Sequence, residues 1–428
     1  TGCDQAGETG DFGGDPVKGP YTGLINYAEV RGSRGKTGGI IGSVAAGTKV
    51  TFCENYGAVK GTEKYTAYIG GITGYNRGTI EDCVSAPKDE PVMKDGDLDK
   101  ESLKGIFVGG IAGYNNRGTI KNSGTEKESR DKNGGGKDAY IIGYRYVGGI
   151  VGYNNETVAG GDNGLVFLST AKTNKAQVVG YDYVGGIVGA NALLEGAALE
   201  TDDIPDAAAL EGCGVKKVYS EKMLVKNWIN EGIVHAAGSC AGGIAGYNAG
   251  ILQGCTTRIN TSSGGGASSL LAQAVLYGHE ASYVGGITGY NLGWIHNENT
   301  VDGDAVIQVN SVVAGKKYIG GIVGYNGTTV DEDGNAADKS GMIRNYALAG
   351  GYISGECFAG GYVGLNTTEK LLGEEALLLS KPNEVTADYF AGGVMGALIL
   401  TPKNDIRVNC ATDNFFGKVI ADNAFAGG

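Results

Sequence analysis

Histidine is almost missing from this chain: three residues in 428, at His235, His279 and His296. A zinc peptidase of the H-E-x-x-H type needs two histidines one helical turn apart with a glutamate between them. HEASY at 279–283 starts that pattern and does not finish it. There is no C-x-x-C pair, which removes zinc ribbons and thioredoxin-like redox sites. Eight cysteines are too sparse for a disulfide-dense scaffold. There is no G-x-S-x-G nucleophile elbow, and no lysine completes a phosphate-cradling loop among the many G-x-G strings. Only seven prolines occur and no G-X-Y period, so collagen is excluded. No apolar run approaches the ~20 residues that span a bilayer. Positive charge is also in deficit: 35 Lys and Arg against 47 Asp and Glu leave a net charge of −12. Without a basic face to displace counterions, nucleic acid and anionic membrane surfaces are not expected partners.

What the chain has instead is glycine, 79 residues or about 18% against a usual ~7%. Hydrophobic residues make up 41% and charged residues 19%, the reverse of a disordered composition. The glycines therefore serve a folded backbone. They fall in a repeated phrase, typified by YVGGIVGYN at 146–154. Its glycine pairs begin at Gly38, Gly70, Gly109, Gly148, Gly185, Gly242, Gly285, Gly320, Gly360, Gly392 and Gly427, at intervals of 32 to 57 residues. An aromatic stands two places before most pairs (Tyr68, Phe107, Tyr146, Tyr183, Tyr283, Tyr318, Phe358, Phe390, Phe425), with Cys240 the main exception. An isoleucine follows the pair, and the phrase closes on asparagine at Asn76, Asn115, Asn154, Asn191, Asn248, Asn291, Asn326 and Asn366. A second phrase comes next, as in GTIEDC at 78–83 and GTIKNS at 118–123, and a weaker third, as in NYGAVKG at 55–61.

Short strand-like pieces punctuated by glycine and asparagine, repeated at a near-constant period, predict an all-β parallel β-solenoid (β-helix) of about ten to eleven coils with variable loop insertions. Each coil stacks ~4.8 Å above the last, giving a rod roughly 50 Å long. Isoleucines such as Ile111 and Ile150 are expected to form an interior ladder. Glycine at positive φ is expected at kinks, and the asparagines at corners, where the left-handed conformation suits them and stacked amides can bond along the column. Residues 1–428 read as a single repeat domain. The chain opens without a capping helix and closes on NAFAGG inside a further copy of the phrase, so a segment of a longer protein is expected.

The phrases YVGGIVGYN at 146–154, VGGITGYN at 284–291 and IGGIVGYN at 319–326, with NRGTIEDC at 76–83, resemble the GLUG-motif repeat family of bacterial surface and secreted proteins. TGGIIGSV at 37–44 and AGGVMGAL at 391–398 depart from it by lacking the asparagine. The resemblance implies a solenoid module of an adhesin-like protein, extracellular or at the cell surface. No catalytic residue comes with it.

The reading of function is then a non-enzymatic structural or adhesive rod, a stalk or adhesin segment with loops free to bind. The partners would be a host glycan or protein, or neighbouring repeats of the same longer chain. The alternatives are a glycan-cleaving β-helix with acids in its insertions, or a structural module of a larger surface protease or viral tail fibre. Catalytic acids would break the repeat, so the largest insertion, 192–240, draws attention. It holds Asp202, Asp203 and Asp206, and the amphipathic piece SEKMLVKNWINEGI at 220–233 suggests a short helix. DEDGNAAD at 331–338 resembles a calcium loop, with oxygen ligands at Asp331, Asp333, Asn335 and Asp338, though an acidic surface turn fits as well. Cys53 with Cys83, and Cys213 with Cys255, occupy similar places in consecutive units. A one-coil rise permits a disulfide, and a ladder of free thiols is the alternative. The tyrosines of the phrase either stack on one another or offer stacking surfaces to sugars.

Overall fold

The computed structural model describes residues 21–94, 97–125, 139–155, 165–195, 213–257, 275–278, 282–297, 307–309, 312–348, 350–368, 379–380, 382–399, 418–423 and 425–427. These residues form a parallel β-solenoid. The phrase itself contributes two strands, because the glycine pair turns the chain in the middle: Arg145–Gly148 and Val151–Asn155 lie on either side of it. The first strand of each phrase enters an eleven-stranded wall running from Lys36–Gly38 to Phe425–Gly427. The second enters a ten-stranded wall running from Ile41–Val44 to Met395–Leu398. A third wall is built from the G-T-I phrases, with Thr79–Glu81 against Thr119–Lys121, and ends at Ile343–Arg344. A fourth, of eight strands, runs from Tyr140–Ile142 to Lys418–Ala421.

Register follows the repeat residue by residue. Tyr75 stands beside Tyr114, which stands beside Tyr153, and Asn76, Asn115, Asn154 and Asn191 align in the same way. Inside, Ile72, Ile111, Ile150, Ile187, Ile244, Ile287 and Ile322 are fully buried, as are Ile80, Ile120, Val225, Leu252 and Ile295 from the third wall. Each is covered by its neighbours above and below, and full burial of such a side chain contributes roughly 1.5–3 kcal/mol.

The glycine pairs do not use positive φ; that conformation occurs at glycines elsewhere. They are needed because one coil approaches the next through them. A Cβ built on Gly149 would stand 2.1 Å from the Gly186 carbonyl oxygen of the next coil, and one on Gly148 would stand 2.8 Å from the Gly189 amide nitrogen there and 2.0 Å from the Val151 carbonyl oxygen across the turn of its own coil. Left-handed backbone appears instead at the corner after the third-wall strands, at Phe52, Asp82, Asn122, Gly254 and Asn345, at Asn227 within Leu224–Asn230, and at Arg117 and the phrase aromatics Tyr146 and Tyr183. The asparagines that close the phrase lie in extended strands, so their fitness for the corner is a side-chain property.

SEKMLVKNWINEGI is not helical. Leu224–Asn230 is a strand of the third wall, paired to Leu165–Asn174 on one side and Ile251–Gln253 on the other, with Trp228 fully buried. The stacked coils on both sides satisfy its backbone, and that outweighs its helical periodicity. The described residues contain no α-helix, only a 3-10 turn at Lys100–Ser102, and no helix long and apolar enough to cross a membrane. Among the described residues the fourth wall is interrupted once. Val59–Gly61 pairs only with Val30–Gly32, Tyr140–Ile142 pairs only with Gln177–Gly180, and the coil between them contributes no strand there.

Candidate functional site

The eight asparagines are brought into one column. Asn76 Nδ2 donates to Asn115 Oδ1 at 2.8 Å, and the same bond recurs from coil to coil as far as Asn326 to Asn366 at 3.1 Å. Asn248 also accepts from the Gly250 amide and donates to its carbonyl, both at 3.2 Å, and Asn291 treats Gly293 alike. All eight are buried. With donors and acceptors consumed internally, this column is structural and offers nothing to a ligand. A second column at another corner escaped the sequence reading: Asn26 donates to Asn55 and Asn174 to Asn230, each at 2.8 Å. Its signal was present as N-x-G at 55–57 and 230–232, the spacing also seen at 76–78.

The 331–338 loop is a tight turn at the surface. Asp331 Oδ1 accepts from the amides of Asp333 and Asn335, at 3.0 and 2.8 Å, and so closes the turn on itself. Asp333, Asn335 and Asp338 are exposed. Among the described residues, no three His, Cys, Asp or Glu side chains gather so as to hold a metal ion. The loop docks against the far end of the large insertion. Val330–Asp331 pairs in parallel with Val218–Tyr219, Glu332 accepts from Ser220 at 2.6 Å and meets Lys222 at 3.4 Å, and Lys339 meets Glu221 at 2.9 Å. Asp202, Asp203 and Asp206 lie outside the described residues.

Among the described residues no disulfide forms: Cys53, Cys83, Cys213 and Cys255 keep their thiols. Cys53 and Cys83 do stack, with the Cys53 amide donating to Cys83 Sγ at 3.4 Å, and each thiol donates to the carbonyl two residues before it, that of Thr51 at 3.4 Å and that of Glu81 at 3.3 Å. Cys213 and Cys255 are not equivalent. The Cys213 carbonyl accepts from Tyr146 on the outer face, whereas Cys255 Sγ lies in the core against the Val225 and Gln253 carbonyls. Burial pushes the thiols of Cys213, Cys240 and Cys255 up, to about 11, 12 and 12, so they stay protonated and unreactive at neutral pH.

The aromatics of the phrase form two interlocking outer columns. Tyr68, Phe107, Tyr146 and Tyr183 stack at 5.4, 5.4 and 5.0 Å, and Tyr283, Tyr318, Phe358 and Phe390 at 5.4, 5.3 and 4.8 Å. Tyr75, Tyr114 and Tyr153 make the second column, continued after a break at Ala190 by Tyr247, Tyr290 and Tyr325. Because each ring covers the face of the next, the columns present edges, whereas a sugar stacks on a face. Burial raises the hydroxyls of Tyr146 and Tyr153 well above the ordinary phenol range.

One side-chain cluster lies beside open space. Where the fourth wall turns into the eleven-stranded wall, Glu356, Asp388 and Asp422 follow the paired residues Gly355, Ala387 and Ala421 on consecutive rungs. They line a groove of about 390 Å³ together with Ser354 and Thr386. Among the described residues none of the three carboxylates has an ion-pair partner. The sequence offered no warning of this column, since its members lie 32 and 34 residues apart in unremarkable text. The acids to examine lie in the repeat itself, not only in the insertion.

No family model, no curated protein and no solved structure matches the chain. Function must therefore be argued from the geometry.

Proposed function

We propose that this chain is a rod segment of a bacterial cell-surface or secreted protein, structural or adhesive rather than catalytic, with binding carried by its outer loops and corners. The observation behind this reading is the unbroken asparagine column: seven side-chain bonds link eight coils without a gap, although the intervals between them vary from 35 to 57 residues. Variation is confined to what projects outside. That is the expected economy of a scaffold that holds a shape while its loops diversify. The resemblance to GLUG-motif repeats points the same way.

A second reading, a glycan-cleaving β-helix, is favoured by one observation, the groove bearing Glu356, Asp388 and Asp422. Paired carboxylates are the usual means of glycoside hydrolysis. A glycan-array screen of the purified chain, with and without calcium and followed by product analysis, separates the two. Bound and intact glycan is the expected result, and dependence on calcium would point to the 331–338 loop. Cleaved glycan would overturn the rod reading, and Asp388→Asn would then abolish the cleavage.

A further inference from the structure

The break in the fourth wall has a chemical cause. The Ala86 amide donates to the Asn55 carbonyl and the Tyr140 amide to that of Pro87, both as parallel strands do. Both bonds place Lys88 between Ala58 and Tyr140. The next three residues, Asp89, Glu90 and Pro91, should therefore fall between Val59 and Ile141, between Lys60 and Ile142, and between Gly61 and Gly143. At the first level the wall needs an aliphatic side chain pointing inward, since Ile141 and Val178 are buried there. Asp89 would bury a carboxylate. At the third level it needs glycine: a Cβ on Gly61 would stand 2.9 Å from Ile69 Cδ1, and one on Gly143 2.6 Å from Val108 Cγ2. Pro91 brings a ring and lacks the amide. The chain thus leaves the wall after Lys88 and returns at Gly105, whose amide bonds the Lys64 carbonyl. What stays behind is a cavity of about 100 Å³ floored by Ile69, Val108 and Ile141 and rimmed by Asp89, Ser102 and Lys104 of the departing segment, between two strand edges that among the described residues have no strand partner.

We propose that this vacancy accepts an extended peptide from a partner protein, inserted parallel to its neighbours and carrying the pattern aliphatic–acidic–glycine. Alternation along the strands turns the amides and carbonyls of Val59 and Gly61, and those of Ile142, toward the empty rung, so a guest backbone bonds both edges at once. The aliphatic side chain fills the cavity and continues the buried column. The acidic residue is selected by charge. Lys60 lies 3.5 Å from Glu29 on the coil below and 2.8 Å from Asp89, which has swung out of the vacant rung. A guest carboxylate beside Lys60 takes over the place of Asp89. The wall is continuous on both sides of the gap, so the guest completes an interface already built.

The test uses the full chain and fluorescein-labelled Lys-Val-Glu-Gly-Thr. Saturable binding by fluorescence polarisation is expected, weakened at least tenfold when the peptide valine is replaced by aspartate. The double variant Asp89→Val with Pro91→Gly lets the chain fill its own rung. It should fold with an equal or higher melting temperature and lose peptide binding at least tenfold. Hydrogen exchange on the unaltered protein gives an independent reading: the amides of Val59, Gly61 and Ile142 should slow when peptide is added. The proposal is overturned by the absence of saturable binding, by equal binding of the valine and aspartate peptides, or by exchange at those amides that peptide leaves unchanged.

Discussion

The rungs built on Tyr68, Phe107 and Tyr146 and those built on Tyr283, Tyr318 and Phe358 carry the same phrase and the same strand register, yet their outer faces differ. In the first group the aromatic layer is buried. Asn116 donates to the Tyr75 hydroxyl at 2.6 Å, Asn155 to that of Tyr114 at 2.7 Å, and the Tyr153 hydroxyl reaches the Leu193 carbonyl at 3.0 Å. In the second group the rings are half-exposed, and on the Phe358 rung and the one after it Glu356 and Asp388 stand exposed two residues before the aromatic. The interiors do not differ: Ile150 and Ile322 are equally inaccessible. The repeat dictates what faces inward, and the connecting segments decide independently what each stretch of outer surface becomes.

The sharpest challenge to that division is an interior charge in each region. Ile150→Asp and Ile322→Asp should each destabilise by several kcal/mol, since a buried unpaired carboxylate has no partner in either place. Denaturant melts that separate the two variants widely would break the claim of a common interior. Truncating the outer layer should separate the regions instead. Tyr114→Ala removes a fully buried ring and should destabilise by about 3–5 kcal/mol. Tyr325→Ala, half-exposed, should destabilise by roughly half as much or less. Equal losses would mean that the two faces are covered alike.

The smallest effect concerns charge. In the first region Glu81 lies between Lys49 at 2.6 Å and Lys121 at 3.1 Å, on neighbouring coils. The hydrogen bond from Lys49 is the main reason its carboxyl is held below the ordinary range, with Lys121 adding to it. Because folding lowers this pKa, the stabilisation is present above the ordinary carboxylate range and is lost as pH falls through the lowered value. Glu81→Gln should therefore destabilise by at most about 1 kcal/mol at neutral pH, and the difference from the unaltered chain should vanish in acid. A difference that grew on acidification would show that the sign is wrong.

The fold was legible because the phrase recurs: one register error would misplace every glycine pair and isoleucine at once. Three things were not legible, each for a physical reason. Phe52 takes left-handed backbone although an aromatic does not signal it, because the corner is imposed by the coils above and below, where Asp82, Asn122 and Asn345 are types that tolerate it. Asp331, Asp333 and Asp338 are close in sequence, but Asp331 Oδ1 turns to the amides of Asp333 and Asn335, a local bond that the spacing does not announce. The Glu356, Asp388 and Asp422 column is the converse, close in space only after one full turn of chain per step.

The asparagine column also has a direction. In every one of its seven links the earlier coil supplies the NH₂ group and the later coil the oxygen. The stack is thus polar along its axis, like a row of magnets laid head to tail. A coil removed whole leaves a donor facing an acceptor and the row can close again. A coil turned end for end would set two NH₂ groups against each other at one joint and two oxygens at the next. Evolution can lengthen or shorten such a molecule by whole turns, but it cannot reverse one.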